Sequence, residues 1–272
     1  MGIISDIKRK ARENHARIGL GIGRLSEEFI KSAEDAGEYA EVVLVGDEEL
    51  IKATGTSLKI IHSTEPSGKL VELLVGGEID GAVRGTLGAT KTLTALKSSL
   101  GMKKLYRAAL LETAEGTPFF LAPVGIDEGN SVEDKVELVK RGVEYFERLG
   151  IQARVGILSG GRFEDVGRDK QVDRTLEEAE LVTKQVCALG IDAKNYSILI
   201  EDAIKEANFI IAPDGISGNL IFRTLVFLGG GHGYGAPVLM KKVFVDTSRV
   251  KEDAAWAIML ASALKSLDTS VP

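Results

Sequence analysis

Ala207-Asn208-Phe209-Ile210-Ile211-Ala212-Pro213-Asp214-Gly215-Ile216-Ser217-Gly218-Asn219 is the stretch on which the fold turns. Phe209 to Ala212 is a short apolar run closed by turn residues, which predicts a buried strand. From Asn219 to Leu228 the chain reads as a helix that is apolar almost all round, so it too is expected to be buried. A turn joining two such elements at a strand's carboxyl end is where open α/β sheets bind ligands. Gly215 and Gly218 would let a ligand approach the backbone, and the helix start offers N–H donors to an anion. Asp214, Ser217 and Asn219 add polar atoms. The same residues also suit a tight turn with Ser217 or Asn219 as a helix cap. Local physics weighs the two readings equally.

Working outward, short apolar strands alternate with amphipathic helices. Strands are expected at 17–22, 41–45, 58–61 and 79–83, with helices at 26–36, 47–53, 68–75 and 90–100. This is the pattern of a mostly parallel sheet covered on both faces. The stretches 105–111 and 119–121 suggest an antiparallel pair across Glu115-Gly116-Thr117-Pro118. A helix follows, opened by Ser131 with Asp134, striped by Val132, Val136, Val139, Val143 and Phe146, and stopped at Gly150. Further strands are read at 154–158, 196–200, 209–212, 238–240 and 243–245, with helices from Thr175 to Gly190, from Asn219 to Leu228 and from Glu252 to Leu267. The change in strand character near Lys103 predicts a first α/β domain of 1–103 plus 242–272 and a second of 104–241.

The bulk numbers bound the function. The 272 residues carry a net charge of -6, which disfavours nucleic acid as the main partner but permits a local cluster of cations for a small anion. No apolar run is long enough to span a bilayer, and Met1 to Arg17 has the charged pattern of a helix rather than a signal peptide, so a cytoplasmic location is expected. The single cysteine, Cys187, reads as a buried core thiol. His15, His62 and His232 are not at metal-ligand spacing, so no protein-built metal site is expected.

Four other stretches carry candidate chemistry. Arg84 ends a strand near Thr86, Thr90 and Lys91, where its guanidinium would suit a phosphate or carboxylate, or alternatively an interdomain ion pair. Leu158-Ser159-Gly160-Gly161-Arg162 ends another strand in a polar, glycine-rich turn, which makes Ser159 a ligand candidate. The segment from Gly229 to Gly235 holds five glycines in seven residues, Gly230 among them, but follows a helix and so lacks the context of a dinucleotide loop. Gly19-Leu20-Gly21-Ile22-Gly23 is a weak nucleotide-type signal without the expected acidic residue.

Together these stretches resemble the phosphate acetyltransferase and butyryltransferase family. The 207–219 segment matches that family's strand and PDxxAGN turn, followed by Leu228-Gly229-Gly230, then Gly235, Pro237, Val238 and Leu239, then Ser248-Arg249. Val45-Gly46-Asp47, Glu78 to Val83 and Val155 to Ser159 match upstream turns in the same order. The 213–219 turn is also similar to that of acyl-carrier-protein phosphate acyltransferases. The resemblance implies an isocitrate/isopropylmalate dehydrogenase-like α/β fold with two domains, mixed and mostly parallel sheets, and an interdomain cleft. It implies a homodimer formed through the second domain, and acyl transfer between coenzyme A and phosphate with no tightly bound cofactor. Ser248 and Arg249 match the family's serine–arginine pair and Asp253 its aspartate, which would stabilise developing charge and deprotonate the thiol. Asp214, Ser217, Gly218, Asn219, Arg84, Thr86, Ser159 and Gly230 are then the expected ligand-binding residues.

The sequence departs from that pattern where Leu93-Thr94-Ala95 replaces Leu-Arg-Pro, Val250 replaces a glycine, and Ala236 interrupts Gly-Pro. In its short length and glycine-rich loop it looks most like the MtxX-type, methyltransferase-related subgroup of methanogens. That likeness implies an alternative role as a methyltransferase or its subunit, beside a corrinoid or methyltransferase partner protein. A third reading is a non-catalytic binding protein that keeps the anion site.

Overall fold

The computed structural model describes residues 2–247 and 253–265. The chain forms two α/β units, 1–105 with 234–272, and 106–233. In the first, α1 (Ile3–Asn14) precedes β1 (Ala16–Gly21), α2 (Glu27–Asp35), β2 (Ala40–Gly46), α3 (Glu48–Lys52), β3 (Lys59–His62), α4 (Pro66–Gly76), β4 (Gly81–Val83) and α5 (Ala89–Ser99). The second holds β5 (Ala109–Glu112), β6 (Pro118–Ala122), α6 (Val132–Leu149), β7 (Val155–Ile157), α7 (Lys170–Ala188), β8 (Ala193–Asn195), α8 (Ile200–Glu206), β9 (Phe209–Ile211) and α9 (Gly215–Phe227). The chain passes back to the first unit within β10 (His232–Pro237) and finishes it with β11 (Val243–Asp246) and α10 (Ala255–Ala263). The return comes at Tyr234, earlier than a boundary after 241, because Ala236 and Pro237 already pair with Asp246 and Val245.

In the first unit β3, β2, β1, β4 and β11 run parallel in that order, and β10 lies antiparallel on β11. Ile18, Leu20, Val43, Leu44 and Val83 are buried strand residues, and Val45 and Phe244 pack with Leu70, Leu73 and Leu74 of α4 and Leu96 of α5. Each such side chain contributes about 1.5–3 kcal/mol on burial. The helix α10 is apolar on every side because every side is covered: residues Ala257 to Ala263 are all buried. Asn14 Nδ2 donates to Ser262 O at 2.8 Å, and Ala16 N donates to Ser262 Oγ at 3.0 Å, tying α1 and β1 to this last helix.

In the second unit β6, β9, β7 and β8 run parallel in that order, with β5 antiparallel to β6. Its core stacks Phe146 of α6 against Phe120 and Phe209, with ring centroids 5.1 and 5.5 Å apart. Ser131 caps α6, its Oγ accepting from Asp134 N. The buried face of α6 is Leu138, Val139, Tyr145, Phe146 and Leu149, and it also carries Lys135.

Several elements differ from the sequence reading. The helix α7 starts at Lys170, capped by Asp169 rather than from Thr175, because its first turn is exposed and shows no apolar period. No strand spans 196–200. The Asn195 side chain accepts from Ser197 N, Ser197 takes φ 56°, and α8 begins at Ile200. Strand β10 occupies part of the glycine-rich segment, whereas 238–240 is not a strand. Cys187 is exposed, its thiol near Ala193 O, so it is not a core residue. The helix α9 begins at Gly215 and is not buried. Its large apolar side chains Ile216, Leu220 and Phe227, with Leu228 just after it at 84% exposure, face outward, and only Gly215 and Gly218 are buried. No described helix is long and apolar enough to cross a membrane.

Candidate functional site

Within the 213–219 segment, Asp214 is the N-cap of α9, its Oδ1 accepting from Ser217 N at 2.7 Å. A Cβ on Gly215 would overlap the Gly125 carbonyl, and one on Gly218 would overlap the Pro123 carbonyl. The two glycines therefore admit the 123–129 loop against the helix start. Gly215 N donates to Glu128 O at 3.1 Å, and Asn219 Nδ2 donates to Val124 O at 2.9 Å. The loop itself is held by Glu128, whose Oε1 accepts from Arg107 Nε at 2.7 Å while Oε2 accepts from Arg107 N at 3.1 Å. Burial pushes the Glu128 carboxyl above its ordinary range, against the opposing pull of Arg107. Gly230 follows the other end of α9, roughly 20 Å from Asp214 at 1.5 Å per residue, so these two do not share a site.

In the first unit Arg84 is 4% exposed and paired with Asp246, while its Nη1 donates to Leu87 O at 2.6 Å. Thr86 Oγ1 accepts from Gly23 N and Arg24 N at 2.9 and 3.0 Å and donates to Arg24 O at 2.8 Å. These bonds clip the loop after β4 onto the loop after β1. A Cβ on Gly21 would overlap the Leu87 side chain, so this glycine also makes room for a neighbouring segment. Asp253 is exposed and accepts from Ala255 N at 2.8 Å. Ser248 and Arg249 lie outside the described residues.

The turn after β7 is built differently. Ser159 is 2% exposed, its Oγ donating to Gly161 O at 2.9 Å and its N to Ser197 O at 2.8 Å. Gly160 N donates to Thr175 Oγ1 at 2.8 Å, which fixes the turn to α7. Beyond it lies an open depression of about 800 Å³, lined by Gly160, Arg162, Phe163, Arg168, Ser197 and Ile198 among others. Arg168 is paired with Asp165, and the Arg162 N–H and Arg168 guanidinium hold the Asp165 carboxyl below its ordinary range. The Arg162 guanidinium is exposed and has no hydrogen-bond or ion-pair partner among the described residues. Arg162 is not among the ligand-binding residues expected from the sequence, although it stands in the same turn as Ser159. The signal was an arginine directly after a glycine pair at a strand's carboxyl end.

A second, smaller cavity of about 220 Å³ lies beside Asp214, lined by Asn130, Lys135, Gln171, Arg174, Thr175 and Glu178 together with Pro213 and Ile216. Of the expected ligand-binding residues, Asp214 alone reaches it. Ser159 is tied to the first depression through its turn, and Arg84 and Thr86 stand in the other unit.

No protein-family profile matches the sequence. The chain is 55% identical over 269 residues to a protein of Methanosarcina mazei named "Putative methyltransferase mtx subunit X", covering 98% of this chain and 96% of that one. Among solved structures it is similar to a phosphotransacetylase from Streptococcus pyogenes, with a TM-score of 0.72 at 17% identity, over 97% of this chain and 98% of the other. A branched-chain phosphotransacylase from Enterococcus faecalis gives a TM-score of 0.70, also at 17% identity, over 92% and 98%. Those identities carry the fold, a mixed and mostly parallel α/β architecture of phosphotransacetylase type, and not the reaction. Over nearly its whole length the chain belongs to the mtx subunit X family of methanogen proteins.

Proposed function

We propose that the protein is a transferase that binds a phosphorylated, coenzyme A-like ligand at the turn after β7, and that it moves an acyl group between coenzyme A and phosphate. The observation that carries this reading is the unpaired Arg162 guanidinium over an 800 Å³ depression at the carboxyl end of a parallel strand. Its planar fork suits phosphate oxygens, and the exposed Phe163 and Ile198 that line the same depression offer an apolar surface for the remainder of such a ligand. In the reaction a phosphate oxygen attacks the thioester carbon, the C–S bond breaks, and the coenzyme leaves as a thiolate that takes up a proton. The test is an assay with acetyl-, propionyl- and butyryl-coenzyme A plus phosphate. Arg162→Ala is expected to lower kcat/KM at least about tenfold, as loss of a charge-assisted contact should. Its thermal midpoint should stay unchanged, since Arg162 is exposed and unpaired. Absence of turnover with every thioester would sink the acyl reading.

A second reading is favoured by the names of the relatives, which describe a methyltransferase subunit. In that case the protein works beside a corrinoid or methyltransferase partner, and co-purification with a corrinoid protein in place of thioester turnover would select it.

The same proposal includes a homodimer. Its support is α9, which presents Ile216, Leu220 and Phe227, with Leu228 following, to the outside of the second unit. A contiguous apolar helix of this kind is an association surface rather than a surface for water. Leu220→Glu should convert a dimer to a monomer in sedimentation velocity without loss of helix content. A wild-type protein that sediments as a monomer at all concentrations would remove the dimer from the account.

A further inference from the structure

The apolar face of α6 carries a lysine. Lys135 is 3% exposed, and its Nζ donates to Glu178 Oε2 at 2.6 Å. An ammonium has three N–H donors, and this one has a single hydrogen-bond partner among the described residues. A buried donor left unmade is costly, so the remaining two call for acceptors. Lys135 lines a cavity of about 220 Å³ with Asn130, Gln171, Arg174, Glu178 and Asp214, which gives such acceptors room. The volume matches about seven waters at roughly 30 Å³ each, room for a few heavy atoms but not for a nucleotide. The cavity touches the carboxyl end of β9 through Pro213 and Asp214. That is the ligand-bearing edge of an open α/β sheet.

The charge pattern selects among small anions. Two cations, Lys135 and Arg174, face two carboxylates, Glu178 and Asp214. Glu178 is engaged by Lys135 and stands 3.7 Å from Arg174 Nε, and Asp214 is bound to the helix start. With Lys135 and Glu178 offsetting each other, Arg174 is the one loosely engaged cation of the lining, and it balances a single negative charge rather than two. Arg174 is exposed and at 3.7 Å only loosely paired, which leaves its fork free for a planar partner.

We propose that this cavity binds a small monocarboxylate, its oxygens taking the spare Lys135 donors, with Arg174 and Gln171 at the mouth. This goes beyond the transferase reading and does not depend on it, because Arg162 is not in this lining.

The test is calorimetric titration of the full-length protein with acetate, propionate and butyrate, and in parallel with inorganic phosphate. Saturable binding of the carboxylates is expected, weakened about tenfold in Arg174→Gln and in Gln171→Ala, as loss of one hydrogen-bonding group predicts. Both positions are exposed, so both variants should fold. Lys135→Met should abolish binding. If circular dichroism shows that it does not fold, the two exposed variants decide. Lack of saturable carboxylate binding, unchanged affinity in Arg174→Gln, or phosphate binding as tight as the carboxylates would each overturn the proposal. Coenzyme A binding unaffected by Arg174→Gln, together with carboxylate binding unaffected by Arg162→Ala, would show the two sites to be separate.

Discussion

Gly215→Ala is expected to cost about 3 kcal/mol or more and to leave little folded protein, the largest effect of any single methyl group added here. The added carbon would overlap the Gly125 carbonyl, with Glu128 O a further 3.0 Å contact, and neither is a side chain that can rotate away. Overpacking in a close-packed interior typically costs about 1–3 kcal/mol, and a backbone obstacle removes the usual means of relief. Moving the 123–129 loop aside would break the bond from Gly215 N to Glu128 O and disturb that from Asn219 to Val124 O. Gly218→Ala should behave alike, since its obstacle is the Pro123 carbonyl. Gly68 in α4 is the control. Nothing lies within 4 Å of a Cβ there, so Gly68→Ala should stabilise by roughly 0.5–1 kcal/mol through helix propensity. Urea unfolding of the three variants separates steric exclusion from a general intolerance of change.

Arg84→Ala is expected to destabilise by about 3–5 kcal/mol, the usual cost of leaving a buried charge without its partner. Asp246 would lose its guanidinium partner while keeping its contact to Thr247 N at 2.9 Å, and Leu87 O would lose the Arg84 donor. Asp246→Ala should cost a similar amount. The double variant should be less destabilised than the sum of the two, because no charge is then stranded. This outcome distinguishes a structural Arg84 from a ligand-binding one. A surface arginine waiting for a phosphate would cost little stability when removed and would show no coupling to Asp246 in the cycle. Equilibrium unfolding of the four proteins supplies every number needed.

Much of the fold could be read in the sequence because its signals are local. Strands such as Val42 to Val45 and Phe209 to Ile211 are short apolar runs between turn residues, and burial on both faces follows from the helices between them. What could not be read locally was decided by tertiary partners. The helix α9 has the composition of a buried helix, yet only Gly215 and Gly218 are buried, while Ile216, Leu220 and Phe227 are exposed. Glycines 215 and 218 have the spacing of a ligand-approach turn. Whether backbone or ligand fills the space beside them depends on the 123–129 loop, some ninety residues earlier in the chain. Arg84 looks like a free cation until Asp246, 162 positions later, is brought beside it. The converse holds for Arg162 and Lys135. Nothing in the order of residues shows that the first would be left without a partner, or that the second would sit on the buried face of α6.

The measurement that bears most directly on the account is calorimetric titration of coenzyme A into the wild-type protein and into Arg162→Ala. Saturable binding to the wild type, weakened at least about tenfold in the variant while both unfold at the same temperature, is the result predicted for a phosphate-binding turn after β7. No saturable heat with the wild type, or equal affinity in the two proteins, would contradict it.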